Sequence, residues 1–338
     1  MIALPTLLLV TGALALPLAG SLAVIIVSRL TSARRFAPLT GVIITGIAAF
    51  CAIGLLWMGH EEVPLPVWIP DAGPMSLHIG GLGTQAAALT AVMLFISLAL
   101  TADRETPGTV ALLLAGLAVA NASFLAGHFL FRYLALEMVG LCIGLAPLLS
   151  SRGNGLQQAK GSYLLLRLGD VGLLGAILVL WHASGTLDIG PAIDAGMGLP
   201  PSTAAWTVGG LLLAVWVKAG LWPFHTWQAT AHDLPPVTGA WLYGLVMPNL
   251  GLYLLYRTMP LLATAPWLRW GAVVAAVLGV AAIVIRELAQ SRELPSSASL
   301  GSVLSAVGVL IAVFGRSGHV AVFLLIATPF RVVLWLTQ

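Results

Sequence analysis

Apolar runs of about 20 residues succeed one another along nearly the whole chain, separated by short polar or proline-rich breaks. A helix needs roughly 20 residues to cross a hydrocarbon layer of ~30 Å, and backbone amides inside that layer must find partners within their own segment, which favours helices. A membrane barrel would be built from short segments of alternating polarity. The runs here are long, unbroken and rich in Leu, Ala, Val and Gly. Runs and breakers together predict helices at 3–28, 37–58, 77–101, 107–126, 130–150, 161–182, 203–222, 235–256, 267–286, 297–314 and 318–337. The expected fold is therefore an all-α polytopic membrane protein of about eleven transmembrane helices. The first run, from Ile2 to Val27, opens without a basic segment and continues for a full span, so it reads as a first transmembrane helix rather than a cleaved signal peptide.

Composition agrees with a lipid solvent: of 338 residues 59% are hydrophobic and 8% charged, against roughly 25% charged in soluble domains. The formal charge of +3 rests on few groups and offers nothing to nucleic acid. Its distribution is more informative. The connectors around Arg29, Arg34 and Arg35, around Arg104, around Arg152 and Lys160, and around Arg286 and Arg292 are basic. Those holding His60, Glu61 and Glu62, and Asp188 and Asp194, are acidic and fall on the other side under an eleven-helix count. The positive-inside rule then places the N-terminus outside and the C-terminus in the cytoplasm of an inner (cytoplasmic) membrane, with Arg257, Arg269 and Arg316 as outside exceptions. Cys51 and Cys142 lie in apolar runs without a pairing motif, so neither a disulfide nor a metal is assigned. No polar stretch is long enough for a soluble domain, and no phosphate-cradling loop, metal cluster or nucleophile elbow occurs. No cofactor is expected, and any coupled redox or hydrolytic centre belongs on a partner.

Candidate chemistry lies in the ionisable groups inside the apolar runs. Glu137 stands in Leu134-Ala-Leu-Glu137-Met-Val-Gly, and Lys218 late in the run Leu211 to Lys218. Such groups cost about 2.5–3.5 kcal/mol at a helix centre and persist when paired, hydrated or functional. A Glu and a Lys on separate helices can meet that cost together. Arg167 and Asp170, three apart, face the same way and can extend the network. Pro223, Pro235 and Pro236 predict a broken or re-entrant backbone beyond Lys218, which frees carbonyls to hold water or an ammonium. Two readings stay open for these four charges, helix locking or proton transfer. His225 and Tyr243 likewise read as hydrogen-bonded packing residues or as relay groups.

The order and spacing of three segments carry a resemblance: Leu134 to Cys142, Leu166-Arg167-Leu-Gly-Asp170-Val-Gly, and Val217-Lys218-Ala-Gly-Leu-Trp-Pro223-Phe-His225-Thr-Trp227. With Pro235-Pro236-Val237-Thr238-Gly239 they resemble the antiporter-like, proton-pumping membrane subunits of respiratory complex I, and their relatives in membrane-bound hydrogenases and sodium/proton (Mrp-type) antiporters. The resemblance implies that Glu137 matches the family's helix-five glutamate, Lys218 its helix-seven lysine and Asp170 the acidic partner on helix six. It implies proton loading of the lysine under control of a nearby carboxylate, since burial and a moving anion push a lysine's proton affinity in opposite directions. It also implies one complete five-helix repeat at 107–260 (helices 4–8, helix seven broken), preceded by helices 1–3 at 1–106. A shortened second repeat would occupy 261–338.

Two departures bear on mechanism. Where family helix eight carries a His or Lys, Ala240-Trp-Leu-Tyr243-Gly-Leu-Val-Met-Pro248-Asn249 has neither, so Tyr243, or else Asn249, would carry the central step. That segment also has room for an extra residue, and Pro248 adds a kink. Arg331, in Pro329-Phe330-Arg331, stands at a family lysine position, and arginine cycles a proton poorly. The family continues through about fourteen helices where eleven are expected here, so a partner would complete the exit half. The leading expectation is a proton-translocating subunit among other membrane subunits, with a peripheral redox or zinc enzyme as a cytoplasmic partner. Alternatives are a sodium/proton antiporter, the membrane half of an inorganic-carbon uptake complex (where the helix-five glutamate is often replaced), or a degenerate scaffold.

Overall fold

A computed structural model describes residues 4–29, 36–66, 74–150, 155–289 and 296–336. Arg34, Arg35, Arg152 and Arg292 of the expected basic connectors lie outside the described residues. Twelve α-helices are present among the described residues: α1 Leu4–Arg29, α2 Ala37–Gly54, α3 Gly81–Thr101, α4 Pro107–Leu125, α5 Phe129–Leu149, α6 Gly155–Ser184, α7 Ile189–Gly196, α8 Pro201–Lys218, α9 Met247–Thr258, α10 Pro266–Ala289, α11 Ser297–Phe314 and α12 Ser317–Leu336. Nine of these (α1 to α6 and α10 to α12) are long and apolar enough to cross a membrane, α2 together with the short helical turn Leu55–Trp57 that follows it. Their outward faces carry Leu8, Ile26, Phe50, Leu164, Leu288 and Phe330 in the open, as hydrocarbon-facing surfaces do.

The two remaining expected spans are interrupted. The span expected at 203–222 ends early, at Lys218, because Gly220 takes φ +65 and turns the chain out of the helix. Leu221 N–H reaches back to the Trp216 carbonyl at 3.0 Å and Gly220 N–H to Val217 at 3.2 Å, a Schellman closure that only a residue at ease with positive φ completes. A 3-10 stretch follows, Phe224–Asp233. The span expected at 235–256 is a π-helical stretch, Thr238–Val246, running into α9 with Pro248 in its first turn.

The acidic connectors hold structure that hydropathy did not foretell. Strand β1 Glu61–Pro64 pairs with β2 Ser76–Ile79, antiparallel with Glu61 opposite Ile79. This replaces the first residues of the helix expected from 77, since Gly80 and Gly81, the latter the first residue of α3, both take positive φ. The 183–202 connector folds into α7. Both connectors meet at one end of the bundle, where Leu77 bridges to Ala126 and His128 to Asp188.

α6 packs between α5 and α8. Gly172 and Gly210 allow the close approach of α6 and α8: a Cβ on either would stand 2.7 and 2.5 Å from the other's carbonyl oxygen. Small residues at crossing points are how helices associate closely in lipid, where apolar side chains gain little by leaving one hydrocarbon for another. That contact fixes which charges of α6 and α8 can meet.

Candidate functional site

Three helices carry four charges into one row, buried except at Arg167. Glu137 projects from α5, Arg167 and Asp170 from α6, and Lys218 from the last turn of α8. Lys218 Nζ, fully buried, donates to Asp170 Oδ1. Arg167 Nη1 pairs with Glu137 Oε2 and lies 3.7 Å from Asp170 Oδ2. The Arg167 guanidinium also sits over the Tyr163 ring, 4.5 Å from its centroid. The row runs Glu137, Arg167, Asp170, Lys218, with alternating sign.

Glu137 and Lys218 are not in contact with each other and are joined across α6 through Arg167 and Asp170. Asp170 takes the lysine and Arg167 takes the glutamate, because α6 stands between α5 and α8 and presents both charges one turn apart. Arg167 keeps the largest opening to the surface of the four, 28% of its side chain. Glu137 Oε1 and Arg167 Nε have no hydrogen-bond partner among the described residues, so the row retains unused acceptor and donor capacity.

Lys218 sits at the helix end for a physical reason. The last carbonyls of a helix carry partial negative charge, which favours an ammonium there. The Schellman closure uses two of those carbonyls, Trp216 and Val217, and Trp227 Nε1–H adds a second donor to the Val217 carbonyl at 3.0 Å. Ser305 Oγ, from α11, donates to the Ala219 carbonyl at 2.6 Å and accepts from Arg331 Nη2 at 2.8 Å. Arg331, on α12 and fully buried, also donates to the Gly301 carbonyl at 3.3 Å. Arg331 is thus connected through one serine to the backbone just past Lys218. Gln228, also fully buried, lies against Gly220 with both carboxamide atoms unpartnered among the described residues.

The remaining sequence candidates fall outside the row. Tyr243 is buried in the π-helical stretch, where its hydroxyl donates to the Ile143 carbonyl of α5 at 2.5 Å and its ring leans on Trp227, 5.9 Å between centroids. Asn249 Nδ2 donates to Thr328 Oγ1 at 2.7 Å. His225 Nε2 lies 3.4 Å from Arg286 Nη1, away from Lys218's ion pair. Ser305, Gln228 and Glu105 were not anticipated: each is a polar residue of ordinary appearance whose role depends on a neighbour far along the chain.

The family described as the NADH:quinone oxidoreductase/Mrp antiporter transmembrane family matches residues 126–328, more than half of the chain and the whole of the charged row. The chain belongs to this family. Among its members, NADH-quinone oxidoreductase subunit L of Pseudomonas aeruginosa is 28% identical over 320 residues, covering 87% of this chain and 52% of that protein. A chain of respiratory complex I from Thermus thermophilus superposes with a TM-score of 0.82 at 20% identity, over 97% of this chain and 70% of that one. A chain of the Mrp complex from Dietzia superposes with a TM-score of 0.79 at 18% identity, over 96% of this chain and 37% of that one. The chain spans about half the length of the curated relatives it matches. This antiporter-like family fold, made of many apolar helices, identifies a multi-pass membrane protein.

Proposed function

We propose that this chain is a proton-translocating subunit of a multi-subunit membrane complex, with the row Glu137–Arg167–Asp170–Lys218 as its proton-handling element. The observation that carries the reading is a row of four alternating charges across three helices, three of them buried and Arg167 partly open, ending on a lysine at a broken helix. A pure helix lock needs two charges. Four, with a free carboxylate oxygen on Glu137 at one end, can also be rearranged: a proton added at Glu137 releases Arg167 toward Asp170, which weakens the Asp170 hold on Lys218. Each exchange trades one ion pair for another, which keeps any single buried charge from standing alone.

Arg331 and Ser305 continue polar contact beyond Lys218 and extend the path toward α11 and α12. Arginine stays charged, so Arg331 serves as a fixed cation and protons pass beside it. Tyr243, its hydroxyl committed to a carbonyl, walls the path, and His225 holds Arg286 at its margin. The relatives' complexes support other membrane subunits as neighbours, and the coupled partner in this reading is a peripheral redox or zinc enzyme. The acidic end with the strand pair then faces outward, and the end carrying Arg104 and Arg286 faces the cytoplasm.

The test is proton flux in vesicles holding the intact complex. Glu137→Gln and Lys218→Ala each abolish coupled proton movement while the complex assembles in normal amount. Undiminished pumping by both variants would remove the proposal. A sodium gradient in the same vesicles separates exchange of sodium for protons from proton movement alone.

A further inference from the structure

Glu105, in the short link between α3 and α4, reaches more than a hundred residues along the chain to the start of the π-helical stretch. It is 6% exposed. Its Oε1 accepts from Val237 N–H at 2.8 Å and Thr238 N–H at 3.2 Å, and its Oε2 accepts from the Thr238 hydroxyl at 2.7 Å. Those amides are the unsatisfied donors that any helix leaves at its first turn. Pro235 and Pro236 come just before and bring no N–H of their own. The carboxylate arrives on a rigid base, because Thr106 and Thr109 form a reciprocal capping box at the start of α4.

A π-helical turn is rare and appears mostly at functional sites, so this one needs its surroundings to hold it. Glu105 holds its first turn. Trp241 Nε1–H donates to the Thr90 carbonyl of α3 at 2.9 Å, and Tyr243 reaches α5. If the stretch rewound as α-helix, every residue beyond it would turn about the axis and α9 with them. α9 is where Gly251 lies against the backbone of Lys218 and Ala219, close enough that a Cβ there would stand 2.6 Å from Ala219 N. The chain of contact therefore runs from Glu105 through the π-helical stretch and α9 to Lys218.

We infer that Glu105 is a positioning residue for the proton path: its carboxylate sets the register of the π-helical stretch and, through α9, the placement of Lys218. This rests on the proton reading of the charged row, while the clamp itself can be measured without transport.

Two readouts on the intact complex test it. Hydrogen exchange of amides 237–246 becomes about tenfold faster in Glu105→Ala, from the loss of three buried hydrogen bonds to a charged group, and exchange in α10 does not change. Glu105→Gln stays within about threefold of the parent, because its Oε1 can still accept both amides. Proton flux follows the same order, falling about tenfold in Glu105→Ala and largely recovering in Glu105→Gln. Unchanged exchange in Glu105→Ala overturns the clamp. Faster exchange with full flux overturns the functional role, and equal losses in the Ala and Gln variants show that charge rather than cap geometry matters, which also overturns it. Should Glu105→Ala fail to assemble, Thr238→Val removes one donor alone and must still speed exchange in the segment. Full flux in Lys218→Ala would defeat the proton reading and leave the exchange result to judge the clamp. Loss of flux there, with Glu105→Ala normal in both readouts, would defeat the clamp only.

Discussion

Gly251→Ala isolates the contact between α9 and the end of α8. The added Cβ would lie 2.6 Å from Ala219 N, 3.0 Å from the Lys218 carbonyl carbon and 3.1 Å from Ala219 Cα. Heavy atoms settle at about 3.5–4.0 Å, so the two backbones must part by roughly 1 Å. No rotamer change can absorb this, since every atom met is main chain. The end of α8 is itself held by its Schellman closure, by Trp227 and by Ser305. Overpacking of this kind costs about 1–3 kcal/mol, and a misplacement near 1 Å can cost ~10²-fold where groups must be aligned. Apparent unfolding in detergent and proton flux in vesicles are measured beside Gly175→Ala on α6, whose added Cβ meets nothing within 4 Å. Gly251→Ala is expected to lower the unfolding midpoint and to reduce flux at least tenfold, and Gly175→Ala to leave both in place. Parental flux and stability in Gly251→Ala would show that α9 does not brace Lys218.

Three further outcomes are expected. Asp170→Asn leaves a buried ammonium without its partner and destabilises by about 3–5 kcal/mol, whereas adding Lys218→Met recovers most of the loss; a double variant as unstable as the single one contradicts the pairing. Tyr243→Phe keeps the ring on Trp227 and loses one hydrogen bond, so stability drops by about 1 kcal/mol and flux stays within about twofold; abolished flux would instead make the hydroxyl a relay. Burial pushes the Glu105 carboxyl above its ordinary range, with hydrogen bonds from Thr238, Thr109 and Val237 pulling it back. The fold therefore holds that proton more tightly than the unfolded chain does. This contribution is present below the ordinary carboxylate value of about 4.3 and is lost as pH rises through the raised one. Glu105→Gln should lack that slope in apparent midpoint against pH, and identical slopes in both proteins would refute the assignment.

The long helices were legible because a bilayer imposes one length on every crossing segment, and the runs in this chain have it. The break after Lys218 was legible too, from Pro223, Pro235 and Pro236. The partner that Lys218 takes, Asp170, was legible through the resemblance alone and not from the local pattern. It depends on how far α6 and α8 approach, which Gly172 and Gly210 decide together from 38 residues apart, and no local pattern expresses that. The strand pair escaped for another reason: strands of four residues carry too little alternation to stand out in a proline-rich connector. The π-helical stretch depends on Glu105, Thr90 and Ile143, all distant in sequence, so propensity along 238–246 could not reveal it.

The alternating row has an electrical consequence. Two formal negative and two formal positive charges sum to zero, so as a body it feels little net pull from the transmembrane voltage. One extra proton leaves it with a single uncompensated charge, on which ~100 mV acts with about 2.3 kcal/mol for a full crossing. An energised membrane would thus bias the loaded row and spare the empty one, giving the voltage a direct grip on the step that moves the proton.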